Sequence, residues 1–246
     1  MICERHHYGD KRSQLGELYL PSGSDSPPFP VAVVLHGGFW KAQYSRKLMR
    51  PLCHDLVERG WAAWNLEYRR LGRLSGGGWP TTFDDLGAGI DHLRVLTAPL
   101  DLTRVVTIGH SAGGHLAALA ATRPGPSVVV TGVVAQAGVL DLESAWEWRL
   151  STGVVERLLD GTPEQVPDRY AAVSPAARLP LGVPALLMHG GKDDIVPPAM
   201  SEEFDAAARA AGDDCTLALI PEEDHYSHLD PASRVWAAAV EWIGPP

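Results

Sequence analysis

Short apolar runs, each closed by glycine or polar residues, recur at residues 31–35, 61–66, 105–108, 128–135, 185–188 and 217–220. None alternates cleanly between apolar and polar, which is the pattern of strands buried on both faces. Between these runs the apolar positions follow a helical period. Phe83, Leu86, Ile90 and Leu93 form one stripe, with Thr82 and Asp85 spaced as a capping box at its start. A second helix is predicted from Pro198, carrying Phe204, Ala207, Ala208 and Ala211, with Gly212 placed to end it. A third opens at Asp230-Pro231, the aspartate as N-cap, and lays Val235, Trp236, Ala239, Val240 and Ile243 against a sheet. Residues 16–20 read as a lead-in strand, and 21–30, with four prolines, as a loop. Strands alternating with helices require parallel pairing with helices on both faces. The fold class predicted is therefore α/β, a doubly wound and mostly parallel sheet.

The 246 residues suit one such domain, 1–246. Residues 138–184 interrupt the alternation, carry Trp146, Trp148 and Tyr170, and predict a small cap or pocket wall. The start of the chain, Met1-Ile2-Cys3-Glu4-Arg5-His6-His7, lacks the apolar core of a signal peptide, and no run approaches the about 18 apolar residues of a membrane helix. A cytoplasmic protein that engages no membrane is expected. Cys3, Cys53 and Cys215 are widely spaced and predict free thiols. A net charge of −9 with scattered arginines argues against nucleic acid and for a small-molecule partner, the chain acting as monomer or homodimer.

Directly after the run 105–108 stands Gly109-His110-Ser111-Ala112-Gly113-Gly114, followed by a small-residue helix that must stop before Pro124. Alone, Gly-x-Ser-x-Gly is also an ordinary glycine-rich turn. Between a strand and a helix it becomes the sharp turn that thrusts a nucleophilic serine out at the carboxyl end of a sheet. Upstream, His36-Gly37-Gly38-Phe39-Trp40 follows another strand, and its glycines let backbone approach a substrate. Acyl transfer needs two N–H donors aimed at the oxyanion; Ala112, after the serine, would supply one and this loop the other. The alternative is a tight turn with His36 bonded to backbone.

A serine hydroxyl needs a base, and the base needs an acid to orient it, here in the chain order Ser, acid, His. After the run 185–188 comes His189-Gly190-Gly191-Lys192-Asp193-Asp194-Ile195-Val196-Pro197, where Asp193 is the acid selected and Asp194 the reserve. After 217–220 comes Asp224-His225-Tyr226-Ser227-His228, where His225 is the base selected over His228. No cofactor and no metal is expected, because these two histidines have no further ligand cluster beside them. Trp40, Trp79, Trp146 and Trp148 are candidate walls of an acyl or aryl pocket, with core packing as the competing reading of each.

These residues resemble the α/β-hydrolase superfamily, in the branch that holds arylformamidases (kynurenine formamidases) and related small esterases. The resemblance runs from Tyr8-Gly9 and Gln14 through Glu67-Tyr68-Arg69, Trp79-Pro80 and the serine turn to Asp224-His225-Tyr226. It implies that the amides of Gly38 and Phe39 belong to the oxyanion hole and that Asp193 and His225 complete a triad with Ser111. Phe39 stands where related arylformamidases usually carry tyrosine. A serine hydrolase of short-acyl or aryl carboxylic esters is expected. The alternatives are cleavage of formamides such as N-formylkynurenine, and a small-ligand receptor that has lost turnover on the same fold.

Overall fold

Five of the six apolar runs become the middle of an eight-stranded sheet among the described residues, and the run 217–220 becomes one of its edges. The computed structural model describes residues 1–22 and 27–246. Its strands are β1 (Ile2–His7), β2 (Leu15–Leu20), β3 (Phe29–Leu35), β4 (Ala62–Leu66), β5 (Leu100–His110), β6 (Gly132–Gln136), β7 (Ala185–Gly190) and β8 (Cys215–Ile220). Their order is β1-β2-β4-β3-β5-β6-β7-β8; β1 and β2 run antiparallel, and every pairing from β4 to β8 is parallel. β1 carried no apolar signal because it is an edge strand whose residues are almost all exposed. The predicted loop 21–30 lies partly outside the described residues, and Phe29 and Pro30 already belong to β3.

Among the described residues eight α-helices cover the two faces: α1 (Arg50–Glu58), α2 (Thr81–Asp91), α3 (Ala112–Ala121), α4 (Leu142–Glu147), α5 (Leu150–Leu159), α6 (Pro167–Val173), α7 (Ala199–Ala210) and α8 (Arg234–Ile243). α1 and α8 bury Leu52, Leu56, Val235 and Trp236 against one face. α2, α3 and α7 bury Leu86, Ile90, Leu116 and Phe204 against the other, where α4 to α6 extend the layer. Residues 138–184 therefore contribute three helices to the same core. No helix among the described residues is long and apolar enough to cross a membrane, and the three cysteines are free thiols.

Several local expectations change. α8 is capped by Ser233, whose side chain accepts from the Trp236 amide, while Asp230 instead closes a turn by accepting from the Ala232 amide. Thr82 and Asp85 form no capping box. Thr82 donates to the Arg69 carbonyl, and Asp85 takes a two-pronged ion pair from Arg69. In α7 the buried stripe is Met200, Phe204 and Ala208, with Ala207 and Ala211 exposed. Gly212, at φ +91°, ends that helix as expected, and the Asp213 amide returns to the Ala208 carbonyl.

The sequence leaves β3 for β4 on one side and returns across it to β5 on the other, so β3 and β5 flank the point where strand order reverses. Ligand sites of open parallel sheets form outside the carboxyl ends of strands at such a point. The loops leaving β3 and β5 there are 36–40 and the turn at Ser111.

Candidate active site

Ser111 follows the last residue of β5 and precedes the first of α3. Its backbone sits at φ 58°, ψ −119°, a region that an L-residue occupies only under strain. The flanking glycines are required by contact. A Cβ on Gly109 would lie 2.0 Å from the Gly113 carbonyl oxygen, and one on Gly113 would lie 2.1 Å from the Leu35 carbonyl oxygen. The Ser111 amide donates to the Gln136 carbonyl at 2.7 Å, and Val139 and His115 donate to the Ser111 carbonyl at 3.3 and 3.1 Å. The turn is fixed from both neighbouring strands.

Loop 36–40 packs directly on this turn, since a Cβ on Gly37 would meet the Ser111 Cβ at 2.9 Å. Gly38, Phe39 and Trp40 all have positive φ (105°, 50° and 54°), an arrangement that costs about 1 kcal/mol or more at each non-glycine residue. The loop is held to it from beneath. His36 is fully buried, with Nδ1 2.8 Å from the Gly37 carbonyl, Nε2 2.8 Å from Glu67 Oε1, and its ring stacked on Tyr68 at 4.4 Å. Tyr68 donates its hydroxyl to the His36 carbonyl, and Tyr8 donates to that of Glu67. The residues 8, 14, 67, 68 and 69 thus act as a brace, with Gln14 and Arg69 both joined to Asp85. The amides of Gly38, Phe39 and Ala112 donate to no protein acceptor among the described residues. Three N–H groups flanking Ser111 are therefore available to a ligand oxygen.

The other side of the turn carries the acid and the base. Asp193, after β7, accepts from His225 Nδ1 at 2.6 Å on Oδ2, while its Oδ1 accepts the Ile195 and Val196 amides at 2.9 Å each. Asp194 is exposed and makes none of these bonds. His189 is a member of this group that sequence reasoning did not find. Its Nε2 lies 3.2 Å from Asp193 Oδ2 and 2.8 Å from the Val196 carbonyl, and its Nδ1 pairs with Ser201 at 2.7 Å. Burial favours a neutral Asp193, but the hydrogen bonds from His189 and His225 outweigh it and hold the carboxyl well below the usual carboxylate range. The base is placed by His110, whose Nε2–H donates to the His225 carbonyl at 2.8 Å, the two rings lying 4.6 Å apart. Burial and the neighbouring His225 push the His110 imidazole down to about 3. His228 is also buried, but both its ring nitrogens are unpartnered and it does not reach Asp193. The Ser111 hydroxyl makes no hydrogen bond among the described residues, so the closed part of the group is Asp193, His225 and His110.

Of the four candidate pocket tryptophans, Trp40 is corrected to a core residue. It is fully buried, packed edge-on against His115 at 5.2 Å, and wedges the loop instead of walling an open pocket. Trp79, Trp146 and Trp148 keep part of their surface at the margin of the same core.

Comparison with known proteins agrees with this architecture. The BD-FAE family model matches residues 17–207. Esterase LipQ of Mycobacterium tuberculosis is 31% identical over an alignment of 229 positions that covers 86% of this chain and 54% of LipQ. The chain thus spans about half the length of that relative. Kynurenine formamidase of Danio rerio is 24% identical, with 91% of this chain and 74% of the relative covered. Among solved structures, propionate-bound Est2, an esterase of Thermogutta terrifontis, superposes with a TM-score of 0.73 at 25% identity over 91% of this chain and 84% of that one. With a family match across most of its length and this sheet order, the chain belongs to the BD-FAE family and has the α/β-hydrolase fold.

Proposed function

We propose that the protein is a serine carboxylesterase acting on esters with short acyl or aryl groups. The observation that carries the reading is the Asp193–His225 pair at 2.6 Å beside a strained Ser111 flanked by three open amides. Ser111 Oγ attacks the ester carbonyl carbon while His225 Nε2 takes its proton, and the carbonyl oxygen becomes an oxyanion received by the amides of Gly38, Phe39 and Ala112. Each such donor lowers the barrier by about 3 kcal/mol. The tetrahedral intermediate collapses, the C–O bond to the alcohol breaks, and His225 returns the proton to the departing oxygen. Water, deprotonated by His225, then attacks the acyl-enzyme and releases the acid and Ser111. Asp193 holds His225 in the tautomer with Nδ1 protonated and stabilises the imidazolium.

The esterase relatives and the propionate in Est2 support esters with small acyl groups. The formamidase relative supports a formamide as the competing substrate. Wild type and Ser111→Ala are to be compared on p-nitrophenyl esters of increasing chain length and on N-formylkynurenine. Short-ester turnover that falls by about 10⁴- to 10⁶-fold in the variant is expected. Faster serine-dependent cleavage of the formamide would move the assignment to an arylformamidase, and binding without turnover of any acyl substrate would move it to a receptor.

A further inference from the structure

We infer that a basic cleft beside the oxyanion loop binds a small polyanion, a ligand carrying clustered phosphate or carboxylate groups. The cleft, about 910 Å³, opens among the β1–β2 turn, the segment after loop 36–40 and the segment after β4. All three lie at the sheet end that carries Ser111. In a chain of net charge −9, its walls contain seven lysine and arginine side chains and a single carboxylate, Glu67.

The carboxylates beneath the cleft are already engaged. Glu17 alone meets Arg5 at 3.2 Å, Arg46 at 3.0 Å and Arg50 at 2.6 Å. Glu67 meets Arg70 at 3.3 Å and Arg46 at 3.5 Å, and Asp85 meets Arg69 at 2.7 Å. Lys11, Arg12 and Lys47 complete the rim, and none of them forms an ion pair among the described residues. Positive charge is therefore in excess here while the rest of the molecule is strongly negative.

Two features distinguish this from a solvated lysine patch. Arg46, Arg69 and Arg70 are only 12%, 18% and 15% exposed and are anchored by the buried acids. A ligand would meet guanidinium groups that are already oriented, which reduces the entropy cost of binding. Guanidinium forks match the paired oxygens of carboxylate and phosphate. Among the described residues the cleft is lined by no tryptophan, tyrosine or phenylalanine, and His7 is its one aromatic ring, which favours a compact anion over a run of stacked bases. The inference does not rest on ester hydrolysis, since its readout is binding.

The test is calorimetric titration of the full chain with inorganic tripolyphosphate and with citrate, each against sodium chloride of matched ionic strength. Saturable one-to-one binding of at least one probe is expected, and which of the two binds tighter distinguishes phosphate from carboxylate ligands. The triple variant Lys11→Glu, Arg12→Glu, Lys47→Glu should weaken that binding at least a hundredfold without altering the melting temperature of the unliganded protein, because these side chains hold no ion pair. Arg94→Glu, Arg157→Glu, Arg234→Glu makes the same change in net charge at three exposed arginines outside the cleft and should retain binding within about threefold. Absence of saturable binding by both probes, or equal losses in the two triple variants, overturns the inference.

Discussion

Glu67 and Asp193 are both buried carboxylates bonded to a histidine, at 2.8 and 2.6 Å, and each lies beside the turn at Ser111. Their surroundings differ. Glu67 is set among arginines, and its partner His36 has both nitrogens occupied, one by the acid and one by the Gly37 carbonyl. An imidazole closed at both ends can only hold a shape. Asp193 is set among imidazoles and amides with no arginine or lysine in contact, and the Nε2 of its partner His225 is unbonded among the described residues. That open nitrogen can accept a proton, and no fixed cation beside the acid opposes the charge it then carries. One pair fixes the donors, and the other is left free to react.

The contrast can be broken most sharply at Asp193. Replacement by Asn keeps the shape but favours the wrong His225 tautomer, and kcat on a p-nitrophenyl ester should fall by about 10⁴-fold with KM nearly unchanged. A loss under tenfold would show that the acid is not Asp193. Glu67→Gln should act differently. It leaves Arg70 without its charge partner and Arg46 with Glu17 alone, so urea denaturation should show a loss of about 3 kcal/mol. The effect on kcat should be about tenfold, through the loop amides alone. A kcat loss as large as that of Asp193→Asn would abolish the distinction between the two pairs.

The last effect concerns acid. His115 packs on Trp40 of loop 36–40 with Nε2–H donating to the Val173 carbonyl, and burial pushes its imidazole down to about 4. The unfolded chain binds a proton at this residue below about pH 6.5 and the folded chain does so only below about 4. Stability is therefore intact above pH 6.5 and falls as the pH drops toward 4. The loss per histidine is about 1.4 kcal/mol for each pH unit inside that window. His115→Gln should flatten the curve of unfolding free energy against pH by that amount, and an unchanged slope would show that His115 does not titrate with folding.

What the sequence revealed follows from how locally each feature is encoded. The inner parallel strands β3 to β7 were legible because burial on both faces leaves continuous apolar runs, and the serine turn because Gly109 is forced by the Gly113 carbonyl within the motif itself. β1 was not, since an exposed edge strand of mixed polarity carries no periodic signal. Ser233 displaced Asp230 as the cap of α8 because both are good caps and only the packing of Trp236, with its indole N–H on Asp55, fixes where the helix begins. The role of His189 depends on Ser201 and Val196 folding back over it, a tertiary arrangement without a spacing rule. Asp85 was visible as an acid near a helix start, but its partner Arg69 is 16 residues away, beyond any helical pattern.

The backbone of Ser111 has one more consequence. Its φ and ψ belong to glycine by preference, so on the proposed mechanism the residue that carries the chemistry is also one the fold would rather exchange. Selection for heat resistance and selection for turnover pull in opposite directions at this position. Under the first alone, a lineage would drift toward glycine at 111 and keep the scaffold while abandoning the reaction.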